Sequence, residues 1–246
     1  MKVAAIIQAR MSSTRLPGKV LLPLEGRTVL ARVIERVRAC RKVDEVVVAT
    51  TEAKDDDAIV EECGRIKTTF FRGSLEDVLG RYYGAARACG ADVVVRVTSD
   101  CPLFDPDVLE AMLETFLSHL PPAWDYLSNT LKRTYPRGLD AEIFTIQALE
   151  TAHRQAKLPH EREHVTPYIY RHPESFRLHS FASPEDKSMH RWTVDTPEDY
   201  QLIKTIYAKL NQAGGVFSTA AVLDLLRQHP DLSQINAHIE QKKLGS

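Results

Sequence analysis

Three short β-branched runs, 3–7, 45–49 and 92–97, punctuate the first hundred residues. Apolar runs of this length predict strands buried on both faces of a parallel sheet. Between the first two, Thr28 to Cys40 sets Val29, Leu30, Val33, Ile34 and Val37 at helical spacing and leaves arginines for the opposite face. A weaker helical pattern follows over 55–63. Two more helices are predicted over 75–88 and 106–117, the second with Asp105 just before Pro106 at a first-turn position. Strand, loop and helix alternate, and that alternation predicts an α/β fold with a mainly parallel central sheet.

From Pro121 the pattern changes. A Pro-Pro pair leads into Trp124 to Thr130, a basic Lys132-Arg133 pair and a strand pattern over 140–144. The stretch 121–171 reads as a small insertion carrying substrate contacts. Helical patterns over 145–156 and 161–171, a strand over 176–181 and a helix opened by Thr196-Pro197-Glu198-Asp199 complete a body of residues 1–210. Residues 211–246 form a helical C-terminal tail with a Gly214-Gly215 hinge near its start.

Composition narrows the class without naming it. With 43% hydrophobic and 26% charged residues in 246, the chain is ordinary globular protein rather than a disordered or fibrous one. A net charge of −1 argues against a nucleic-acid binder held by a basic surface. Cys40, Cys63, Cys89 and Cys101 form no C-x-x-C pair, which suits a reducing cytoplasm. Gln8 and Arg10 interrupt the first apolar run before it reaches signal-peptide length, and no stretch approaches the roughly 20 apolar residues of a membrane span. The expectation is a cytoplasmic protein without nucleic-acid or membrane partners. The balance of charge is uneven, however: ten Lys and Arg stand against Glu25 and Glu35 in residues 1–42.

Part of that local excess lies in Ala9 to Leu21, ARMSSTRLPGKVL, a polar loop leaving the carboxyl end of the first predicted strand. Ligands of open α/β sheets bind outside those strand ends. Small residues such as Ala9 and Ser13 let backbone amides approach a polyphosphate, and Arg10, Arg15 and Lys19 would neutralise its oxygens. A nucleoside triphosphate suits this loop; a solvated basic loop is the plainer reading. It is not a Walker loop, since Ser13 replaces the first glycine and Val20 the hydroxyl, and it lacks the G-x-G-x-x-G of a dinucleotide site.

The run Ile6 to Leu21, IIQARMSSTRLPGKVL, resembles the signature of the sugar cytidylyltransferases, the 3-deoxy-manno-octulosonate and acylneuraminate cytidylyltransferases, and with Gln8 and Met11 most resembles the spore coat polysaccharide biosynthesis protein F branch. The resemblance runs from residue 1 to about 210. It implies a Rossmann-like nucleotide-diphospho-sugar transferase fold, transfer of CMP from CTP to an acidic sugar with release of pyrophosphate for surface polysaccharide biosynthesis, and Mg²⁺ as cofactor. Arg10, Lys19 and Asp100 would be catalytic; Asp100 and Asp195 would hold the metal, although Asp195 in V-D-T-P-E-D is equally placed to cap a helix. Many relatives carry Gly-Asp where this chain has Ser99-Asp100.

The same resemblance puts Asp77, in R-G-S-L-E-D-V-L, near base and ribose, while the spacing also suits Ser74 as a helix cap with Asp77 three residues on. Arg137 and Asp140 would face the acceptor sugar, Arg137 by pairing with a sugar carboxylate; Asp140 would bond sugar hydroxyls or pair with Arg137. Glu161 and His164 would close over the acceptor or form an amphipathic face. The stretch 121–171 is where a homodimer would form, with Trp124, Tyr126 and Tyr135 as contact area or as core.

His160-Glu161-Arg162-Glu163-His164 also matches H-E-x-x-H, the helical zinc-hydrolase pattern, but Pro159 puts His160 at a helix entry and nothing continues the motif. Two further readings compete: a glycosyltransferase using a nucleotide-sugar donor, and a non-catalytic subunit that only binds nucleotide. A fold alone separates none of them.

Overall fold

The computed structural model describes residues 1–119, 121–211 and 215–240. The Gly214 half of the predicted hinge and the last six residues of the tail lie outside the described residues.

In chain order the strands are β1 (Val3–Gln8), β2 (Pro23–Leu24), β3 (Arg27–Thr28), β4 (Glu45–Thr51), β5 (Thr69–Gly73), β6 (Val93–Thr98), β7 (Tyr126–Ser128), β8 (Glu142–Thr145) and β9 (Leu178–Ser180). The helices are α1 (Val29–Arg38), α2 (Asp57–Arg65), α3 (Val78–Ala88), α4 (Pro106–Phe116), α5 (Ile146–Gln155), α6 (Pro159–His164), α7 (Pro167–Tyr170), α8 (Pro197–Leu210) and α9 (Thr219–Gln228). All but β2 and β3 join one sheet in the order β5-β4-β1-β6-β8-β7-β9. Its strands run parallel except β8, which is antiparallel to both β6 and β7. The expected mainly parallel α/β architecture is present.

Alternation along the strands builds a core on each face of the sheet. Val3, Ala5, Ile7, Val46, Val48, Val93 and Val95 pack against α1, α2 and α4, whereas Ala4, Ile6, Val47, Ala49 and Val94 pack against α3, α5 and α7. Burial on both faces is why these strands read as continuous apolar runs. A third cluster joins Leu24 and Val29 to Trp192, α8 and α9. Residues 121–171 supply β7 and β8, so this stretch extends the central sheet.

Sequence signals fix several helix starts. Thr28, Asp105 and Thr196 accept from backbone amides in the first turns of α1, α4 and α8, and Thr196 and Asp199 form a capping box. Two local expectations differ from the structure. The arginines of α1 are not all on a solvated face: Arg32 and Arg36 are buried, their guanidiniums bonding the carbonyls of Leu24, Glu25, Phe104 and Phe217 and lying over the Tyr207 and Phe217 rings. The helix expected over 161–171 is two short helices, because Val165 takes φ 75° between them.

The chain leaves β1 for β4 and β5 on one side and returns to β6 on the other. The switch point between β1 and β6 is where ligands bind in open α/β sheets, at the carboxyl ends of the strands.

Candidate functional site

A cleft of about 280 Å³ opens at that point. Gln8 from β1, Thr98 from β6, the following loop residues Ala9, Arg10, Ser12, Ser13, Thr14, Arg15, Lys19, Ser99 and Asp100, and Asp195 line it. Val78 and Arg81 of α3 and Glu163 and His164 of α6 form the opposite wall.

The loop after β1 is held as a tight turn. Gly18, at φ 69°, donates its amide to the Met11 carbonyl at 3.0 Å and starts a 3-10 turn over Lys19–Leu21 that fixes the Lys19 side chain. Met11 in turn donates its amide to Asp56 Oδ1 at 2.7 Å. Across the cleft, Val194 donates its amide to the Asp100 carbonyl at 2.8 Å, which lays residues 191–196 beside the end of β6 and brings Asp195 to Asp100.

Lys19 Nζ sits between these two carboxylates, 2.7 Å from Asp100 Oδ2 and 2.6 Å from Asp195 Oδ1. Arg15 and Arg191 each reach Asp195 Oδ2 at 3.0 Å. Behind them Asp199, fully buried, takes both Arg191 Nε and a terminal nitrogen at 2.9 Å and caps the start of α8 through the amides of Asp195 and Thr196. Three carboxylates thus face three cations. Burial alone would push the Lys19 ammonium down, and Asp100 and Asp195 outweigh it, so its pKa lies above the usual lysine range. Burial would raise Asp100, and the Lys19 charge and hydrogen bond hold it below the usual carboxylate range instead.

One ammonium bridging both carboxylates shows that they are spaced to share a single cation. Among the described residues no group of three or more His, Cys, Asp and Glu is gathered for a metal. Two carboxylates are the protein share that a Mg²⁺ filling its shell with phosphate oxygens and water would use.

Several predicted site residues sit away from this centre. Asp77 is itself the cap of α3, accepting from the Gly80 amide at 2.8 Å, and it pairs with Arg162; Ser74 instead accepts from Glu76 and Asp77. Asp140 is chelated by Arg133 at 2.6 and 2.7 Å, not by Arg137. Arg137 lines a separate hollow with His190, Trp192 and Asn236. Glu161 is buried, turned back onto the amides of Lys157 and Leu158 at 3.1 Å, whereas the half-buried His164 lines the cleft. Burial depresses the His164 imidazole, keeping it neutral at neutral pH. The H-E-x-x-H residues do not converge, since Arg171 engages His160 Nε2 at 2.7 Å. Tyr126 is core, and Trp124 and Tyr135 stack within the chain on His179 and Phe181.

The sequence reading missed Gln8, Arg81, Glu163 and Arg191. Arg81 is 3% exposed, bonds the Ser74 carbonyl and keeps its Nε without a hydrogen-bond partner among the described residues. Gln8 is reached by Arg96, the one charge in the apolar run of β6; a guanidinium inside a strand buried on both faces needs a partner, and that was the available signal.

Comparison with known proteins agrees with this architecture. A solved cytidylyltransferase from Leptospira borgpetersenii superposes with a TM-score of 0.90 at 37% identity, covering 99% of each chain. A CMP:2-keto-3-deoxy-manno-octonic acid synthetase solved with CTP shares the fold at 19% identity, with a TM-score of 0.64 over 85% of this chain and 99% of that one. The spore coat polysaccharide biosynthesis protein SpsF of Bacillus subtilis is 36% identical over 92% of this chain and 94% of its own. The family model described as cytidylyltransferase matches residues 4–242, and the chain belongs to the cytidylyltransferase family.

Proposed function

We propose that this enzyme transfers CMP from CTP to a hydroxyl of an acidic sugar, with Mg²⁺ as cofactor and pyrophosphate as leaving group, in surface polysaccharide biosynthesis. The observation that carries the reading is Lys19 set between Asp100 and Asp195 at the mouth of a cleft walled by the basic loop. Family membership supplies the nucleotide and the sugar: the relatives named above are a spore coat polysaccharide protein and a sugar synthetase solved with CTP.

In the ligand-free chain the cations of the loop neutralise the carboxylates. Arrival of a triphosphate gives Arg10, Arg15 and Lys19 a better partner, by charge-assisted bonds to its oxygens. Asp100, and Asp195 still paired with Arg191, would then hold Mg²⁺, which when bound would supply charge neutralisation at the reacting phosphoryl group. Lys19 and the loop amides hold the departing pyrophosphate, and the rate comes from positioning and charge stabilisation. Of the residues assigned to the acceptor, His164 lines the cleft while Arg137 lies in its separate hollow, and the 121–171 stretch is the proposed acceptor and dimer surface.

The test is pyrophosphate release from CTP and Mg²⁺ against a panel of carboxylated sugars. Sugar-dependent release supports the reading. Transfer from a nucleotide-sugar without pyrophosphate release would instead identify a glycosyltransferase.

A further inference from the structure

Beneath the cleft runs a chain of hydrogen bonds whose direction is forced at each link. Tyr126 donates its hydroxyl to Glu142 Oε1 at 2.6 Å and Thr166 donates to the same oxygen at 2.5 Å. The other oxygen of Glu142 pairs with a terminal nitrogen of Arg96. The Tyr126 and Tyr82 hydroxyls beside this pair are pushed up by burial, Tyr82 to about 12, so both stay protonated. Arg96 then donates its second terminal nitrogen to Gln8 Oε1 at 3.2 Å. A guanidinium has donors and no acceptor, so the face of the Gln8 amide turned toward it must be the oxygen. Gln8 lines the cleft, and its amide nitrogen, opposite the oxygen held by Arg96, takes part in none of the side-chain hydrogen bonds among the described residues.

We infer that Gln8, locked in this orientation by Arg96 and Glu142, selects cytosine over uracil by offering the bound base only donors. The inference rests on the nucleotide reading above and adds to it the residue that reads the base. Cytosine presents two neighbouring acceptors, its N3 and its C2 carbonyl. Uracil presents an N–H at position 3, which meets the Gln8 N–H₂ donor to donor. A free glutamine would flip its amide and accept from uracil; the Arg96 contact removes that option. A site built to bond one pattern rejects the other because a buried donor is left unpaired.

The experiment compares CTP and UTP affinities, with Mg²⁺, by calorimetry on wild type, Gln8→Glu and Gln8→Met. Gln8→Glu keeps a partner for Arg96 and replaces the N–H₂ with an acceptor, so its CTP-to-UTP preference falls by about tenfold or more. Gln8→Met lowers the ratio less, by weakening CTP. Taking the ratio cancels the effect of the added charge on the triphosphate. An unchanged ratio in both variants overturns the inference and places the amide against a phosphate or the acceptor, where both nucleotides would weaken alike. Wild type binding CTP and UTP equally also overturns it while leaving the nucleotide reading intact. Wild type binding neither removes both.

Discussion

Replacing Lys19 with methionine keeps the volume of the side chain and removes the charge between Asp100 and Asp195. In the wild type the ammonium is 12% exposed and bonds both carboxylates within 2.7 Å. Methionine leaves Asp100 without its cationic partner, while Asp195 keeps Arg15 and Arg191. Breaking a buried pair by deleting one member costs about 3 to 5 kcal/mol, and the open side of the cleft and protonation of Asp100 bring this to about 2 to 3. For a chain of this size that is a fall in Tm of about 5 to 10 °C. Mg²⁺ alone restores part of the loss, because the cation takes the place of the ammonium, and it raises the Tm of the variant more than that of the wild type. Catalytic efficiency toward CTP falls by about 100- to 1000-fold. Differential scanning calorimetry with and without Mg²⁺ reads the first two effects and steady-state kinetics the third. A variant with wild-type Tm and no added response to Mg²⁺ would refute the reasoning.

Three further outcomes follow from the geometry. Asp199→Asn leaves Arg191 without its fully buried counter-ion and lowers stability by about 3 kcal/mol, read as a shift of the urea midpoint. Glu161→Ala removes the back-bonds to Lys157 and Leu158, costs about 1 kcal/mol and leaves CTP affinity unchanged in calorimetry; a lost affinity would return Glu161 to the site. The Tm difference between wild type and Lys19→Met depends on pH at both ends. Asp100 titrates below its ordinary 3.8 when folded, so its share is present above 3.8 and disappears as pH falls through the lowered value. Lys19 titrates above its ordinary 10.5, so its share is present below 10.5 and disappears as pH rises through the raised value. A difference that fails to shrink as pH falls below 3.8 and as it rises above 10.5 would contradict the assignment.

How much of this was readable in the sequence depends on whether local or distant contacts decide each residue. The three apolar runs, the Asp105 cap before Pro106 and the polar loop after the first strand carry their own signals and formed as expected. Asp100 and Asp195 were legible as carboxylates at strand and helix ends, but the ammonium between them joins positions 81 and 176 residues apart, and nothing local encodes that. Charged residues were misplaced wherever their partner is a backbone group or a residue that no periodicity marks. Arg32 and Arg36 are buried because carbonyls and aromatic rings meet them. Asp140 answers to Arg133 across a turn, and Glu161 folds back on its own helix entry. Gln8 and Arg81 belong to elements whose apolar pattern hides a polar position aimed into the cleft.

The most direct test of the central claim is a calorimetric titration of the wild-type chain with CTP, in the presence and absence of Mg²⁺, beside ATP, GTP and UTP. The account predicts saturable binding of CTP that tightens with Mg²⁺ and exceeds that of the other three. No binding of any triphosphate, with binding of a nucleotide-sugar instead, would contradict it.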